Sequence, residues 1–347
     1  MNLRHALPLA LVLAVLAGCG GSDATADDPN AKVTITFTAY GGAGQQAMID
    51  AYQKPYTAAH SNVTFVNSSP PDISQVKAQV MSRAVKWDVV SVAPGVATQQ
   101  CDKLFEPVDS TGIDTSNLVE GTIGKCYIGN FINANPIAYR TEAFPDPAKA
   151  PKTVADFFDL KKFPGQRGML SNIQNGILEF PLLADGVAPK DMYPLDVDRS
   201  LKKLDTIRAK TTFAPNVGAL QQAVGAKQVD MFILPDSRLV PLMNDGADIT
   251  VVWDVTVAAM NGFAIPKGSP HKAASLAFLK TLCGPDQVAG ISNALGTQPV
   301  NKAAKLSLSP NAKKVVADKG QVLMQDVDWY AKNFDEANTK VTNWLVG

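Results

Sequence analysis

The spacing of apolar residues predicts strands and helices that alternate along the chain. Val33, Ile35 and Phe37 alternate with threonines, which is the period of a half-buried β-strand. A glycine-rich turn at 41–44 follows this strand and precedes a helical stretch that runs through Tyr52. Because strands alternate with helices, we expect an α/β fold with mixed, mainly parallel sheets flanked by helices. The further elements predicted in this way are strands at 62–66, 88–92, 231–234 and 249–252, and helices at 73–85, 154–160, 200–207 and 220–226.

Two irregular stretches divide the chain. One is proline-rich and covers 145–151, and the other, rich in glycine and proline, covers 262–270. A length of 347 residues fits two domains, since one domain usually spans roughly 100 to 200 residues. We therefore expect two α/β units, each with its own core.

The N-terminus has the pattern of an export signal. An apolar run at 6–17 follows Arg4 and is too short to span a bilayer as a helix. The run ends in Leu16-Ala17-Gly18-Cys19, which resembles the lipobox of bacterial lipoproteins, whose cysteine is lipidated. We expect a signal peptide at 1–18 and a lipidated, flexible tether at 19–32; the alternative is a plain secretory signal with an incidental cysteine. The protein would then be extracytoplasmic and would contact the membrane through its lipid alone.

Composition and charge exclude several function classes. Lys plus Arg (32) balances Asp plus Glu (32), so the chain lacks the net basic charge that gathers nucleic acid. Three histidines are too few and too scattered for a histidine-rich metal site. The Gly-x-Ser-x-Gly and His-Glu-x-x-His patterns of enzymes are absent. We predict no nucleic-acid binding, no metal ion and no enzymatic activity.

One glycine motif matches a dinucleotide-binding fingerprint. The spacing is Gly42-x-Gly44-x-x-Ala47, directly after a predicted strand. The next strand ends in Asn67-Ser68, without the carboxylate that would hold a ribose hydroxyl, so we predict no cofactor. The turn remains a candidate ligand contact, because its free backbone amides lie at the carboxyl edge of the sheet.

The cysteines fit an oxidising compartment. Cys101 and Cys126 are predicted to form a disulfide; two unrelated buried thiols are the alternative. Cys283 shares a helix face with Leu276 and Leu279, and we expect it in the core.

Polar residues near predicted strand ends and breaks are candidate ligand contacts. Arg238 follows the strand at 231–234, where it would contact a ligand or close a cleft; an ion pair with a neighbouring acid is the alternative. Several asparagines occupy similar positions, where their amides could form hydrogen bonds with a polar ligand. The alternative for each of them is a structural role in a turn. They are Asn130, Asn133, Asn172, Asn175 and Asn261.

Motifs over nearly the whole body resemble those of ABC-transporter substrate-binding lipoproteins of the spermidine/putrescine (polyamine) type. Their order and spacing carry the resemblance. They include Tyr40-Gly41-Gly42-Ala43, Trp87-Asp88-Val89-Val90, Ala138-Tyr139-Arg140, Lys162-Phe163-Pro164-Gly165, Ala264-Ile265-Pro266-Lys267-Gly268 and Pro299-x-Asn301.

The resemblance implies a type II periplasmic binding fold, in which two α/β lobes hold the ligand in a cleft. The chain would cross between the lobes near Arg140 and near 260–262. Ligand binding would close the hinge, and the closed monomer would dock on an ABC permease and its ATPase. The implied division is 33–139 plus 261–303 for lobe 1, and 140–260 plus 304–347 for lobe 2 with the C-terminal helices.

The acidic contacts of polyamine-binding members are partly replaced. Asn261 stands where the family usually has Asp, and 171–175 stands where spermidine binders have an acidic cluster. Asp236 is then the best candidate to meet an amine, with Tyr40 as a stacking face. We expect a single amine, a zwitterion or a neutral polar ligand. The predicted ligand contacts are Tyr40, Gly41, Gly42, Asn130, Asn172, Asn175, Asp236, Arg238 and Asn261.

Two other functions stay open at this point. A sensory or partner-binding lipoprotein would use the same scaffold and the same closure. An extracytoplasmic enzyme would need a nucleophile and a base in the cleft, and the sequence offers no candidate pair.

Overall fold

The computed structural model describes residues 31–316 and 320–347. The predicted signal peptide, Cys19 and the tether up to residue 30 lie outside these residues and stay predictions. Residues 32–347 form one compact unit. Within the described ranges, none of the helices combines the length and the apolar character that a membrane crossing requires.

In the described part of the chain, ten strands form one mixed sheet. Eight of them follow the order β2-β1-β3-β8-β4-β7-β5-β6, while β9 pairs with β4 and β10 with β8. The strands are β1 (Val33–Thr38), β2 (Val63–Ser68), β3 (Val89–Val92), β4 (Ile128–Arg140), β5 (Arg167–Leu170), β6 (Thr211–Ala214), β7 (Met231–Ile233), β8 (Ile249–Ala264), β9 (Gln298–Pro299) and β10 (Gln321–Met324).

Helices connect these strands, and side-chain caps define where several of them begin. Asp72 accepts a hydrogen bond from the backbone N–H of Ser74, and Thr153 forms a capping box with Asp156. The α-helices are α1 (Gly42–Met48), α2 (Lys54–Ala59), α3 (Ile73–Met81), α4 (Pro94–Gln99), α5 (Val154–Phe158), α6 (Glu179–Ala184), α7 (Val197–Asp205), α8 (Val217–Gly225), α9 (Asp236–Asn244), α10 (Lys272–Leu279), α11 (Pro285–Leu295), α12 (Ala312–Val315) and α13 (Val327–Val346).

The long strands β4 and β8 join two parts of the sheet. β1 pairs in parallel with β2 and β3, and β5 pairs in parallel with β6 and β7. β8 pairs with β3 through 262–264, and β4 pairs with β7 through 137–139. We term β1–β3 with their helices the first half, and β5–β7 with theirs the second half. The chain changes halves inside β4 and β8, and the lobe boundaries given above stay a prediction.

Each half has an apolar core. In the first half, the rings of Phe37 and Phe263 are buried with their centroids 4.8 Å apart. In the second half, Phe157, Phe180 and Ile233 are buried in a separate cluster. Burying one such side chain contributes about 1.5–3 kcal/mol to the stability of the fold. The two cores therefore hold the strands and helices of each half together.

Several predicted boundaries are wrong. The helix predicted at 73–85 ends at Met81, because Arg83 adopts a left-handed conformation with φ 55°. The strand predicted at 249–252 continues to Ala264, so the predicted break at 262–270 begins inside β8. β4 was not predicted, because asparagines and a glycine interrupt its apolar pattern.

The cysteine predictions are confirmed. Cys101, just after α4, and Cys126, just before β4, form a disulfide. Cys283 is a buried free thiol in the core of the first half.

Candidate functional site

A cavity of about 280 Å³ lies between the two halves, and we term it the main compartment. The carboxyl ends of β1–β3 and β5–β7, the parallel strands of the two halves, meet at its wall, as is usual for ligand sites in α/β sheets. β4 and β8 supply further wall residues in the middle of the sheet. The residues that follow these six strands in the wall are Tyr40 (β1), Pro70 (β2), Ala93 (β3), Asn172 (β5), Asn216 (β6) and Arg238 (β7).

Arg238 is the cation of the main compartment. It lies in the first turn of α9, directly after β7, and is only 9% exposed. In the described residues its guanidinium has neither a hydrogen-bond acceptor nor an anionic partner, so the alternative of an ion pair with a neighbouring acid is not realised. Burial lowers the pKa of Arg238 from its usual value, and the side chain still carries its charge at neutral pH.

The glycine-rich turn lies directly against Arg238. A Cβ atom at Gly42 would be 3.5 Å from Nη1, and one at Gly44 would be 3.8 Å from Nη2. Gly42 also has a φ of +58°, which favours glycine. Gly44 lines the main compartment, whereas the predicted contacts Gly41 and Gly42 are not among its wall residues. The turn therefore brings the first half against the guanidinium of the second half.

Three residues of β4 face the main compartment at every second position: Phe131, Asn133 and Asn135. Oδ1 of Asn133 is buried and has no hydrogen-bond partner among the described residues. Asn135 is satisfied, because its Oδ1 accepts a bond from Asn175 at 2.9 Å and its Nδ2 donates to the carbonyl of Val257. Asn133, one of the candidate asparagines but not one of the nine predicted ligand contacts, thus offers a free acceptor to a ligand.

Asn130 and Asn261 belong to a buried chain of hydrogen bonds. The Ser91 hydroxyl donates to Oδ1 of Asn261 at 3.0 Å, and Nδ2 of Asn261 donates to Oδ1 of Asn130 at 2.9 Å. Nδ2 of Asn130 then donates to the Tyr52 hydroxyl at 3.0 Å. Asn261 lines the main compartment, whereas Asn130 lies behind the wall. These hydrogen bonds hold the Asn261 amide in one orientation.

The predicted asparagines of the second half also line the main compartment. Asn172 caps a 3-10 turn at Ile173–Asn175 by accepting a bond from the backbone N–H of Gln174. Asn175 is anchored by its bond to Asn135. Gln174 lines the same wall and was missed, because nothing in the sequence distinguishes it from other surface glutamines.

Asp236 does not line the main compartment. The carboxyl is fully buried at the start of α9, where its oxygens accept hydrogen bonds from the backbone N–H groups of Ala134 and Ser237. Burial raises the pKa of this carboxyl well above its usual value. The prediction that Asp236 meets a ligand amine is therefore corrected: both oxygens are used inside the protein.

The charge of the main compartment is one-sided. Arg238 is its cation, and none of the described residues in its wall is acidic. Tyr40 is 45% exposed and lines the main compartment, and its role as a stacking face stays a prediction. The remaining polar wall consists of neutral amides and hydroxyls. This arrangement suits an anionic group on the ligand.

Comparison with known proteins gives consistent similarities. Residues 47–320 match the family model described as bacterial extracellular solute-binding protein. The gamma-aminobutyric acid-binding protein of Pseudomonas aeruginosa is 29% identical over 284 residues, which cover 80% of this chain and 79% of that protein.

Solved structures show the same similarity. The Atu4243-GABA receptor is 28% identical, with a TM-score of 0.80 over 90% of this chain and 97% of the other. An ABC transporter substrate-binding protein from Bradyrhizobium japonicum USDA 110 is 27% identical, with a TM-score of 0.81 over 90% and 99%. These similarities confirm the predicted α/β fold of the type II periplasmic binding class.

Proposed function

Because this chain belongs to the family of bacterial extracellular solute-binding proteins, we propose that it captures a small polar solute with a carboxylate group for an ABC importer. The observation that carries this proposal is the unpaired guanidinium of Arg238 in the main compartment. A buried charge without a partner is costly, and a carboxylate offsets that cost by two parallel hydrogen bonds to the guanidinium.

The neutral wall supports a ligand that also carries a donor group. The free Oδ1 of Asn133 accepts a hydrogen bond from an amine, amide or hydroxyl of the ligand. An amino acid-like zwitterion has both groups. The relatives named above for gamma-aminobutyric acid support this class of ligand.

The charge of the main compartment argues against a polyamine, which the resemblance to spermidine/putrescine binders implies. A polyamine would meet the Arg238 cation and would find no carboxylate in the described wall. Like charges in a buried site disfavour binding, since neither is screened by water. We therefore favour the zwitterion among the ligands expected from the sequence.

Capture requires contacts from both halves. The first half contributes Tyr40 and the glycine-rich turn, and the second half contributes Asn172 and Arg238. A ligand that contacts both halves stabilises the closed form by its differential affinity for it. The closed monomer then docks on a permease with its ATPase, while a lipid on Cys19 keeps the protein at the outer face of the membrane.

The test is calorimetric titration of the purified protein with 4-aminobutanoate, putrescine and spermidine. We expect 4-aminobutanoate to bind and Arg238→Gln to weaken its binding by about 100-fold, as truncation of a buried charge pair does. The control is Arg83→Gln, which makes the same change of charge at an exposed position. Tighter binding of a polyamine than of any carboxylate, or unchanged affinity in Arg238→Gln, overturns the proposal.

A further inference from the structure

A second cavity of about 340 Å³ adjoins the main compartment, and we term it the second compartment. The two share part of their walls: Tyr40, Pro70, Pro71, Ala93, Asn172 and Gln174. Tyr40 is the aromatic residue that both walls share, and it is partly exposed. A ligand that extends past this ring from Arg238 enters the second compartment.

Most of the second compartment is apolar. The first half contributes Val76, Val92, Val96 and Phe105, and α13 contributes Phe334. These side chains suit methylene groups, because burial of each CH₂ group is favourable. In the described wall of this compartment, no side chain is cationic.

Asp72 is the acidic residue of the second compartment. It is half-buried and caps α3, with Oδ1 accepting a hydrogen bond from the backbone N–H of Ser74 at 2.7 Å. Its other oxygen, Oδ2, has no hydrogen-bond or ion-pair partner in the described ranges. The bond from Ser74 to Oδ1 therefore holds the carboxylate in place, and Oδ2 is free to accept a hydrogen bond from a ligand.

We propose that the second compartment is a subsite for the ammonium end of an elongated amino acid, with Asp72 as its counter-ion. The inference rests on the proposed function, because the carboxylate end binds at Arg238. Among the described wall residues, the cation Arg238 lies in the main compartment and the acid Asp72 lies in the second compartment. A compact α-amino acid has its two charges on neighbouring atoms and cannot meet both. The preferred ligand is therefore an ω-amino acid whose chain passes Tyr40.

Two series of probes test this subsite by calorimetric titration. One comprises 4-aminobutanoate, 6-aminohexanoate and 8-aminooctanoate, and the other comprises butanoate, hexanoate and octanoate, which lack the amine. With the wild-type protein, we expect affinity to rise with length and each longer amino acid to bind about tenfold more tightly than its amine-free partner. A flat length dependence, or equal binding of L-alanine and 6-aminohexanoate, overturns the proposal.

The variant Asp72→Asn removes the charge and retains the helix cap, since Asn caps as well as Asp. We expect it to lose the tenfold preference for the amine and to bind hexanoate as the wild type does. The matched control is Asp196→Asn, which makes the same change at the cap of α7, away from both compartments. Unchanged amine preference in Asp72→Asn overturns the subsite while the proposed function stands. Loss of all carboxylate binding in the wild type refutes the proposed function instead.

Discussion

Oδ2 of Asp236 accepts a hydrogen bond from the backbone N–H of Ala134 at 3.0 Å, which ties the start of α9 to β4. Oδ1 accepts a second bond from the N–H of Ser237 at 2.6 Å. The carboxyl is fully buried and has no cationic partner in the described residues, so burial raises its pKa. Arg238 lies two residues further along α9. Asp236 therefore positions the turn that presents the guanidinium.

Asp236→Asn should change the pH dependence of stability. Because the pKa of Asp236 is raised in the folded state, the native protein binds more protons than the unfolded chain above about pH 3.9, the ordinary value for Asp. The free energy of unfolding of the wild type therefore falls as the pH rises towards the folded-state pKa, and the variant lacks this contribution. Urea unfolding at several pH values between 4.5 and 8 should show the wild type losing stability relative to the variant as the pH rises.

The control for this experiment is Asp245→Asn, at the exposed end of the same helix. Its stability curve should run parallel to that of the wild type across the pH range. Parallel curves for Asp236→Asn as well would show that the Asp236 carboxyl keeps an ordinary pKa in the folded protein.

The strand β4 shows how far the sequence could lead to the site. Two of its asparagines, Asn130 and Asn133, are candidates from the sequence, but neither the strand nor a role for Asn135 was predicted. Once the strand is known, the alternation of side chains places Phe131, Asn133 and Asn135 on one face and Asn130 on the other. The structure agrees, since the first three line the main compartment and Asn130 lies behind it. The spacing of these residues therefore indicates which of them face the ligand, but only once the strand itself has been predicted.

Other features of the site depend on contacts between distant parts of the chain. The position of Arg238 after a strand predicted a place at the sheet edge, but its lack of a partner depends on how α9 meets the glycine-rich turn. Asp236 follows the same strand as Arg238, but its carboxyl packs against β4 and not against the main compartment. Neighbours on one helix turn point in different directions, so sequence position alone does not separate a ligand contact from a structural carboxyl.

Asn133→Leu should separate stability from ligand binding. The change removes a buried acceptor that has no partner among the described residues, so the ligand-free protein should keep its free energy of unfolding or gain up to about 1 kcal/mol. The affinity for 4-aminobutanoate should fall, because the ligand loses an acceptor. Calorimetric titration and urea unfolding measure the two effects.

The matched control is Asn135→Leu, two residues along the same face of β4. Its amide is bonded to Asn175 and Val257, so the change should destabilise the protein by about 1–3 kcal/mol. Equal destabilisation in the two variants would indicate that water satisfies Asn133 in the ligand-free protein.

Gly42→Ala should weaken ligand binding as well as stability. The left-handed backbone at φ +58° makes any side chain unfavourable by about 1–2 kcal/mol, and the added Cβ would contact Nη1 of Arg238 at 3.5 Å. Gly112→Ala introduces a side chain at φ +86° with no atom within 4 Å of the Cβ. Both variants should lower the midpoint of urea unfolding, and Gly42→Ala alone should lower the affinity for 4-aminobutanoate. A loss of affinity in both would assign the effect to general destabilisation.

Cys19→Ser should release the protein from the membrane without changing its ligand affinity. The expected lipid is attached through the thiol of Cys19, and the folded unit begins at residue 32, where the predicted tether ends. In the bacterium that exports it, the wild type should sediment with membranes and carry acyl groups on residue 19 by mass spectrometry. The variant should be in the soluble fraction, and Ser22→Ala, a neighbouring change in the same tether, should remain with the membranes. A soluble wild-type protein with an unmodified Cys19 would favour the alternative of a plain secretory signal, because the lipid on Cys19 is the expected membrane anchor.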